Sequence, residues 1–255
     1  MSASLPARVV DVGRGLLTGV VSASRGVGHG LRVVPTEVAR GLVLCVRGRV
    51  REGRFRLRRG LWRLAQLPVD VVLMLLGRVV SATQVLSGVE PPGRGLTGFE
   101  VALLRPIFGT SLDYAAVRLK EGPLGVLGIS GRAFVHGDTV FIPPRLRATD
   151  MGLLVHELTH VWQHQHGGTA YMSAAIAAQL TGDGYNWRNA VKKGLRWEEL
   201  NPEQQAQLIE DAARCDLIHP GRELSAHARS RGWSEAALPL LEEALASLRA
   251  GRGAP

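Results

Sequence analysis

The segment LLVHELTHVWQHQHGG, Leu153 to Gly168, constrains the chain more than any other. Leu153, Leu154, Leu158, Val161 and Trp162 recur at helical spacing, so the segment reads as one helix of about four turns. Thr149 or Asp150 can cap its start, and Gly167–Gly168 can end it. His156 and His160 are four residues apart and project from one face, one turn apart. Two imidazoles so placed can reach a single Zn²⁺ at about 2.0–2.1 Å. Glu157 is rotated by about 100° from His156. It therefore falls outside the ligand pair and is placed to move a proton from a metal-activated water to a leaving amine. This is the HExxH arrangement of zinc metallopeptidases. An unpaired glutamate inside an apolar helix is costly, and a metal supplies the reason for it.

A catalytic zinc takes three protein ligands and keeps one position open. His164 lies about 12 Å along the axis from His156, too far to share its ion. His166 has the spacing of HExxHxxGxxH, but Gln163 stands where that pattern needs a glycine to turn the backbone. The favoured third ligand is Glu203, in NPEQQAQLIED, where Asn201 caps, Pro202 takes the first helical position and Gln204 completes a capping box. Glu210 shares its face seven residues on and is the substitute; Glu199 is a weaker choice. Tyr185, in GDGYNW, is the expected oxyanion donor, ahead of Tyr171, His219 and His227. Asp183 or Asp216 could orient a ligand imidazole from behind.

The rest of the chain sets this helix in context. Residues 1–95 carry fifteen arginines and five acids, while the remaining 160 residues carry sixteen bases and seventeen acids. The whole +9 excess therefore sits in the N-terminal third. That third reads as amphipathic helices: one over Val9–Val21, a second from Thr36 after Pro35, then the basic run Arg47–Leu64. Residues 47–63 could touch an anionic surface; no motif with defined spacing points to specific nucleic acid. Leu67–Val89 is apolar but interrupted by Asp70 and Arg78, and reads as a helix buried in protein or lying on a surface rather than a membrane span. Pro6, Arg8, Asp11 and Arg14 break any secretory h-region. The expectation is a chain made in the cytoplasm without a Sec leader. Cys45 and Cys215, far apart, form no disulfide framework. GVEPPGRGLTG, residues 88–98, reads as a linker. Beyond it, LDYAAVRLKEG and RAFVHGDTVFIPP read as strands, with helices over Phe99–Phe108, Met172–Leu180, Pro202–Leu217 and Ser234–Arg249.

FGTSLDYAAVRL, RAFVHGDTVFIPP and LLVHELTHVWQ, in this order and spacing, resemble the HExxH metallopeptidase domain known as the core domain of extracellular contractile injection systems. The resemblance covers about Leu96 to Trp162 and fades towards Asp216. GDGYNWRNAVKKGLRWEELNPEQQAQLIED is similar to bacterial Rhs- or Vgr-related proteins that carry the same HELTHVWQ. The resemblance implies a zincin-like fold, with DTVFIP, Asp138 to Pro143, as the strand lining the substrate cleft. It carries over His156, Glu157 and His160, and Glu203 less directly. It also implies a bacterial setting linked to a secretion or injection system, with export by such a system and its components as partners. The expectation is thus an α+β, gluzincin-type zincin-like domain over 96–255, predominantly helical with a small upstream sheet. It follows a basic helical region over 1–95 that packs, docks or covers the cleft. The expected activity is zinc-dependent hydrolysis of peptide or protein. The alternatives are a non-catalytic zinc-stapled adaptor, or a membrane or nucleic-acid docking protein acting through the basic helices.

Overall fold

The computed structural model describes residues 4–180, 183–218, 228 and 230–255. Two long helices come first, α1 (Leu5–Val46) and α2 (Val50–Ser87), joined by a short turn into an antiparallel hairpin. The break expected before Thr36 is absent: α1 runs through Pro35, and α2 through Pro68. Proline removes one backbone hydrogen bond per helix, and packing along the hairpin's length outweighs that local cost. Glycines let the two backbones approach. A Cβ built on Gly53 would stand 2.7 Å from the Gly41 carbonyl oxygen and would run into the Cys45 sulfur. One on Gly41 would stand 2.9 Å from the Gly53 carbonyl oxygen.

After α3 (Gly98–Phe108), which carries a Thr97–Glu100 capping box, comes a three-stranded sheet. Its strands are β1 (Arg118–Glu121), β2 (Phe134–His136) and β3 (Thr139–Ile142), in the order β1-β3-β2. β3 is parallel to β1 and antiparallel to β2. The expected strand over residues 112–122 is confined to its last part, because 111–116 turn on Asp113, whose side chain accepts the Ala115 and Ala116 N–H groups. Five further helices follow among the described residues: α4 (Met151–Gly167), α5 (Ala170–Leu180), α6 (Trp187–Lys192), α7 (Pro202–Arg214) and α8 (Leu238–Arg249). α6 was not legible as a helix. α8 is preceded by a 3₁₀ turn over Glu235–Ala237, and α7 stops at Arg214 rather than Leu217. The architecture is α+β, mostly helical with one small sheet.

α4 runs through the core. Leu154, Leu158, Val161 and Trp162 are fully enclosed, and the Trp162 indole donates to the Leu248 carbonyl on α8 at 3.0 Å. The hairpin is fastened to this body by polar contacts. Arg78 is buried and donates to the His136 carbonyl at 2.7 Å and to the Thr139 hydroxyl at 2.9 Å. Arg63 donates to the Gly167 carbonyl at 3.0 Å. Asp70 accepts the Ser173 N–H at 3.1 Å, and burial pushes its carboxyl up to about 6. Lys120, on β1, is buried between Asp11 at 2.9 Å and Glu90 at 2.6 Å.

The basic run is thereby divided. Arg56, Arg59 and Arg63 turn inward, to Glu37 and Glu198, the Ala254 carbonyl and the Gly167 carbonyl. Arg51, Arg54 and Arg58 stay exposed. α2 is the one helix among the described residues long and apolar enough to cross a membrane, by length and composition. Its Asp70 and Arg78, however, are held by the body.

The hairpin's close approach has a measurable consequence. Gly53→Ala gains about 1 kcal/mol of helix propensity but drives a methyl into backbone atoms, which costs about 1–3 kcal/mol. The expected result is a lower Tm in thermal unfolding. A control at Gly13, whose Cβ would meet nothing within 4 Å, is expected to leave Tm unchanged or raise it.

Candidate metal centre

The centre forms where α4 crosses α7. Asp150 caps α4 by accepting the Leu153 N–H at 3.1 Å, and Gly168 ends it with φ 76°. Asn201 and Gln204 cap α7 reciprocally, at 2.8 and 3.1 Å, which places Glu203 in its first turn. Ala206, fully buried one turn later, keeps the crossing close. His156, His160 and Glu203 are all buried, and one ligand atom from each lies within 4.8 Å of the others.

Glu203 Oε2 lies 3.3 Å from His156 Nε2 and 3.5 Å from His160 Nε2. A tetrahedral ion with bonds of about 2.0–2.1 Å spaces its ligand atoms about 3.3 Å apart. The same oxygen is buried without a hydrogen-bond donor. A buried carboxylate oxygen aimed between two imidazole nitrogens, with no donor of its own, fits a cation at that point. The donor set, two imidazoles and one carboxylate, suits zinc.

Groups behind the ligands fix their orientation. His156 Nδ1–H donates to Glu210 Oε2 at 3.0 Å, and His160 Nδ1–H donates to Gln163 Oε1 at 2.8 Å. Both rings thus turn Nε2 into the site. Gln163 is held in turn, since its amide donates to the Pro202 carbonyl and to Gln205, both at 3.0 Å. Gln179 donates to Glu203 Oε1 at 2.8 Å, and Arg214 donates to Glu210 Oε1 at 2.8 Å. Burial disfavours charge on His156, but Glu203 and Glu210 overcome it and hold the ring up at about 10. Burial likewise opposes charge on Glu203, yet His160 and His156 hold its carboxyl far below the usual range.

Glu157 is buried, and its Oε2 has no hydrogen-bond partner. Desolvation raises its pKa, against the pull of His156 and His160. The Tyr185 ring is 5.9 Å from that of His156. It is half-buried, and burial pushes its hydroxyl up to about 12.

The other candidates fall elsewhere. Glu210 backs His156 rather than replacing Glu203. Glu199 accepts the Arg196 N–H at 3.0 Å. His164 Nε2 is 3.2 Å from the Ser22 hydroxyl, and His166 donates to the Ser111 carbonyl at 2.9 Å. Asp183 pairs with Lys193 and Asn189 at the surface, and Asp216 lies in the turn after α7 with φ 59°. The two orienting groups are instead Gln163 and Glu210. Gln163 sits three residues after His160 on the same face, a spacing the sequence shows. His219 and His227 lie outside the described residues. Tyr171 is a clamp: its hydroxyl accepts the Gly137 N–H at 3.0 Å and donates to the Val135 carbonyl at 3.2 Å.

The segment expected to line the cleft lies at the centre of the sheet. Asp138–Pro143 contains β3, the central strand, whose two edges are taken by β1 and β2. Both β1 and β2 are outer strands, and Tyr171 bonds the β2 backbone at Val135.

Over 151 residues the chain is 32% identical to the type VI secretion system spike protein VgrG2b of Pseudomonas aeruginosa PAO1. The match takes in 53% of this chain but only 14% of that protein. It supports a link to Vgr-related secretion proteins and does not itself bear on catalysis. No protein-family model matches the chain, and no solved structure does.

Removing an orienting group tests this arrangement without touching a ligand. Glu210→Gln and Gln163→Ala should each weaken zinc affinity by about 10–100-fold, measured by competition with a chromogenic chelator. Asp183→Asn should leave it unchanged.

Proposed function

We propose that this chain is a zinc-dependent peptidase with a zincin-like fold, associated with a type VI or related injection system. The observation that carries the reading is the buried His156–His160–Glu203 group with an unpartnered Glu157 carboxylate on the same helix. A Zn²⁺ ion held by those three residues would supply Lewis acidity, acidifying a water and polarising a peptide carbonyl. Glu157, buried on the same helix with an oxygen free of protein partners, would accept the water's proton and deliver it to the leaving amine. Tyr185, beside His156, donates its hydroxyl proton as a hydrogen bond to the developing oxyanion. Glu210 and Gln163 hold the two imidazoles in the tautomer that presents Nε2.

The likeness to VgrG2b supports the setting. That protein is a secretion-system spike, and a segment similar to part of it fits cargo or a processing module of such a machine, exported with it. Its partners would be spike components and a peptide or protein substrate.

A zinc-stapled adaptor would keep the ligands but have no use for Glu157. Glu157→Gln therefore separates the two. On casein or a quenched peptide library, the peptidase reading expects Glu157→Gln to lose at least about 100-fold in kcat while retaining its metal. Tyr185→Phe should lose roughly 10–1000-fold in kcat with little change in KM. Metal-loaded wild type that cleaves nothing in a broad library, or an unaffected Glu157→Gln, would contradict it.

A further inference from the structure

α2 is built with its polarity reversed. At about 100° per residue, Arg63, Gln66, Asp70, Arg78, Ser81 and Gln84 gather on one side, and all six are buried. The opposite side carries Leu61, Val69, Val72, Leu76, Val79 and Leu86, within an arc of about 100°. Each of these is half to nearly two-thirds exposed. The apolar ridge is about 37 Å long at 1.5 Å per residue. A surface helix of a globular protein normally turns such a stripe inward, and an exposed apolar ridge of this length marks an interaction surface.

The ridge continues in the same arc into three exposed arginines, Arg51, Arg54 and Arg58. Trp62, 55% exposed, stands where the basic part meets the apolar part. The ridge lies in the third of the chain that holds fifteen arginines and five acids. Apolar side chains, an interfacial tryptophan and arginines on one line match a bilayer surface with anionic headgroups. A second copy would bring like charges together at this face. A transmembrane passage would have to pull Asp70 off the Ser173 N–H and Arg78 off the His136 carbonyl.

We propose that the outward face of α2 docks the protein, lying flat, on an anionic membrane surface, with Leu61–Leu86 set among the acyl chains and Arg51, Arg54 and Arg58 on the headgroups. This places the body that carries the His156–His160–Glu203 group beside a membrane, and it does not depend on that group being active.

The test is co-flotation of the full chain with vesicles of phosphatidylcholine alone or with about one-third phosphatidylglycerol. The proposal expects binding to the anionic vesicles, at least tenfold weaker on the neutral ones and weakened by added salt. The double variant Val72→Asp/Leu76→Asp should lose at least tenfold in binding with unchanged circular dichroism, since both positions are exposed. The triple variant Arg51→Gln/Arg54→Gln/Arg58→Gln should lose the preference for anionic lipid. Absence of binding to either vesicle, or binding indifferent to the aspartate pair, would overturn the proposal. So would a dimer in light scattering that the aspartate pair dissolves without any lipid binding, which would assign the ridge to a second copy.

Discussion

A carboxylate buried between two imidazoles organises this molecule. Glu203 is 2% exposed, and an unpaired charge at that depth would be prohibitive. It is tolerated because His156 and His160 face it from one turn of α4, and because Gln179 bonds its other oxygen. That pairing sets how α4 and α7 cross. The crossing then draws in the Gln163 amide, the Pro202 carbonyl and Gln205, which bond one another and leave Glu203 Oε2 and Glu157 Oε2 as the unpartnered oxygens of the site. A metal ion at the centre would give the unpartnered Glu203 oxygen a directional positive charge to face.

The same rule, that buried polar groups must find partners, governs how the N-terminal hairpin attaches. Beside the apolar contacts of Ala23, Leu73 and Met74 with the core, the hairpin is fastened by polar ones: Arg78 on the β2 backbone, Asp70 on α5, and Lys120 between Asp11 and Glu90. Removing one member of the Lys120 cluster would leave buried charge uncompensated, which is strongly destabilising. The consequence is geometric. With the polar side of α2 committed inward, the valines and leucines of its opposite side, Leu61, Val69, Val72, Leu76, Val79 and Leu86, are left on the outside.

Local chemistry was legible in the sequence, and long-range chemistry was not. The i, i+4 histidines, the Asp150 cap and the Asn201–Gln204 capping box each depend on residues within one turn. They located α4, the start of α7 and the Glu203 position. Pro35 misled because its local cost is overridden by packing along the whole hairpin. Asp70 and Arg78 were read as interruptions of an apolar helix, whereas they are the side chains that fasten it. Hydropathy counts apolar residues without saying which face the rest of the chain will claim. The role of Glu210 depends on the α4–α7 crossing angle, and the central place of β3 depends on a pairing order that strand propensity does not encode.

The central claim is that His156, His160 and Glu203 hold one metal ion. Its most direct test is zinc per chain by elemental analysis, on protein purified without a metal-affinity tag, for wild type, His160→Ala and Glu203→Ala. The account predicts about one zinc in wild type and loss in both variants, as three protein ligands require. Wild type that takes up no zinc even from added metal, or Glu203→Ala that keeps a full equivalent, would contradict it.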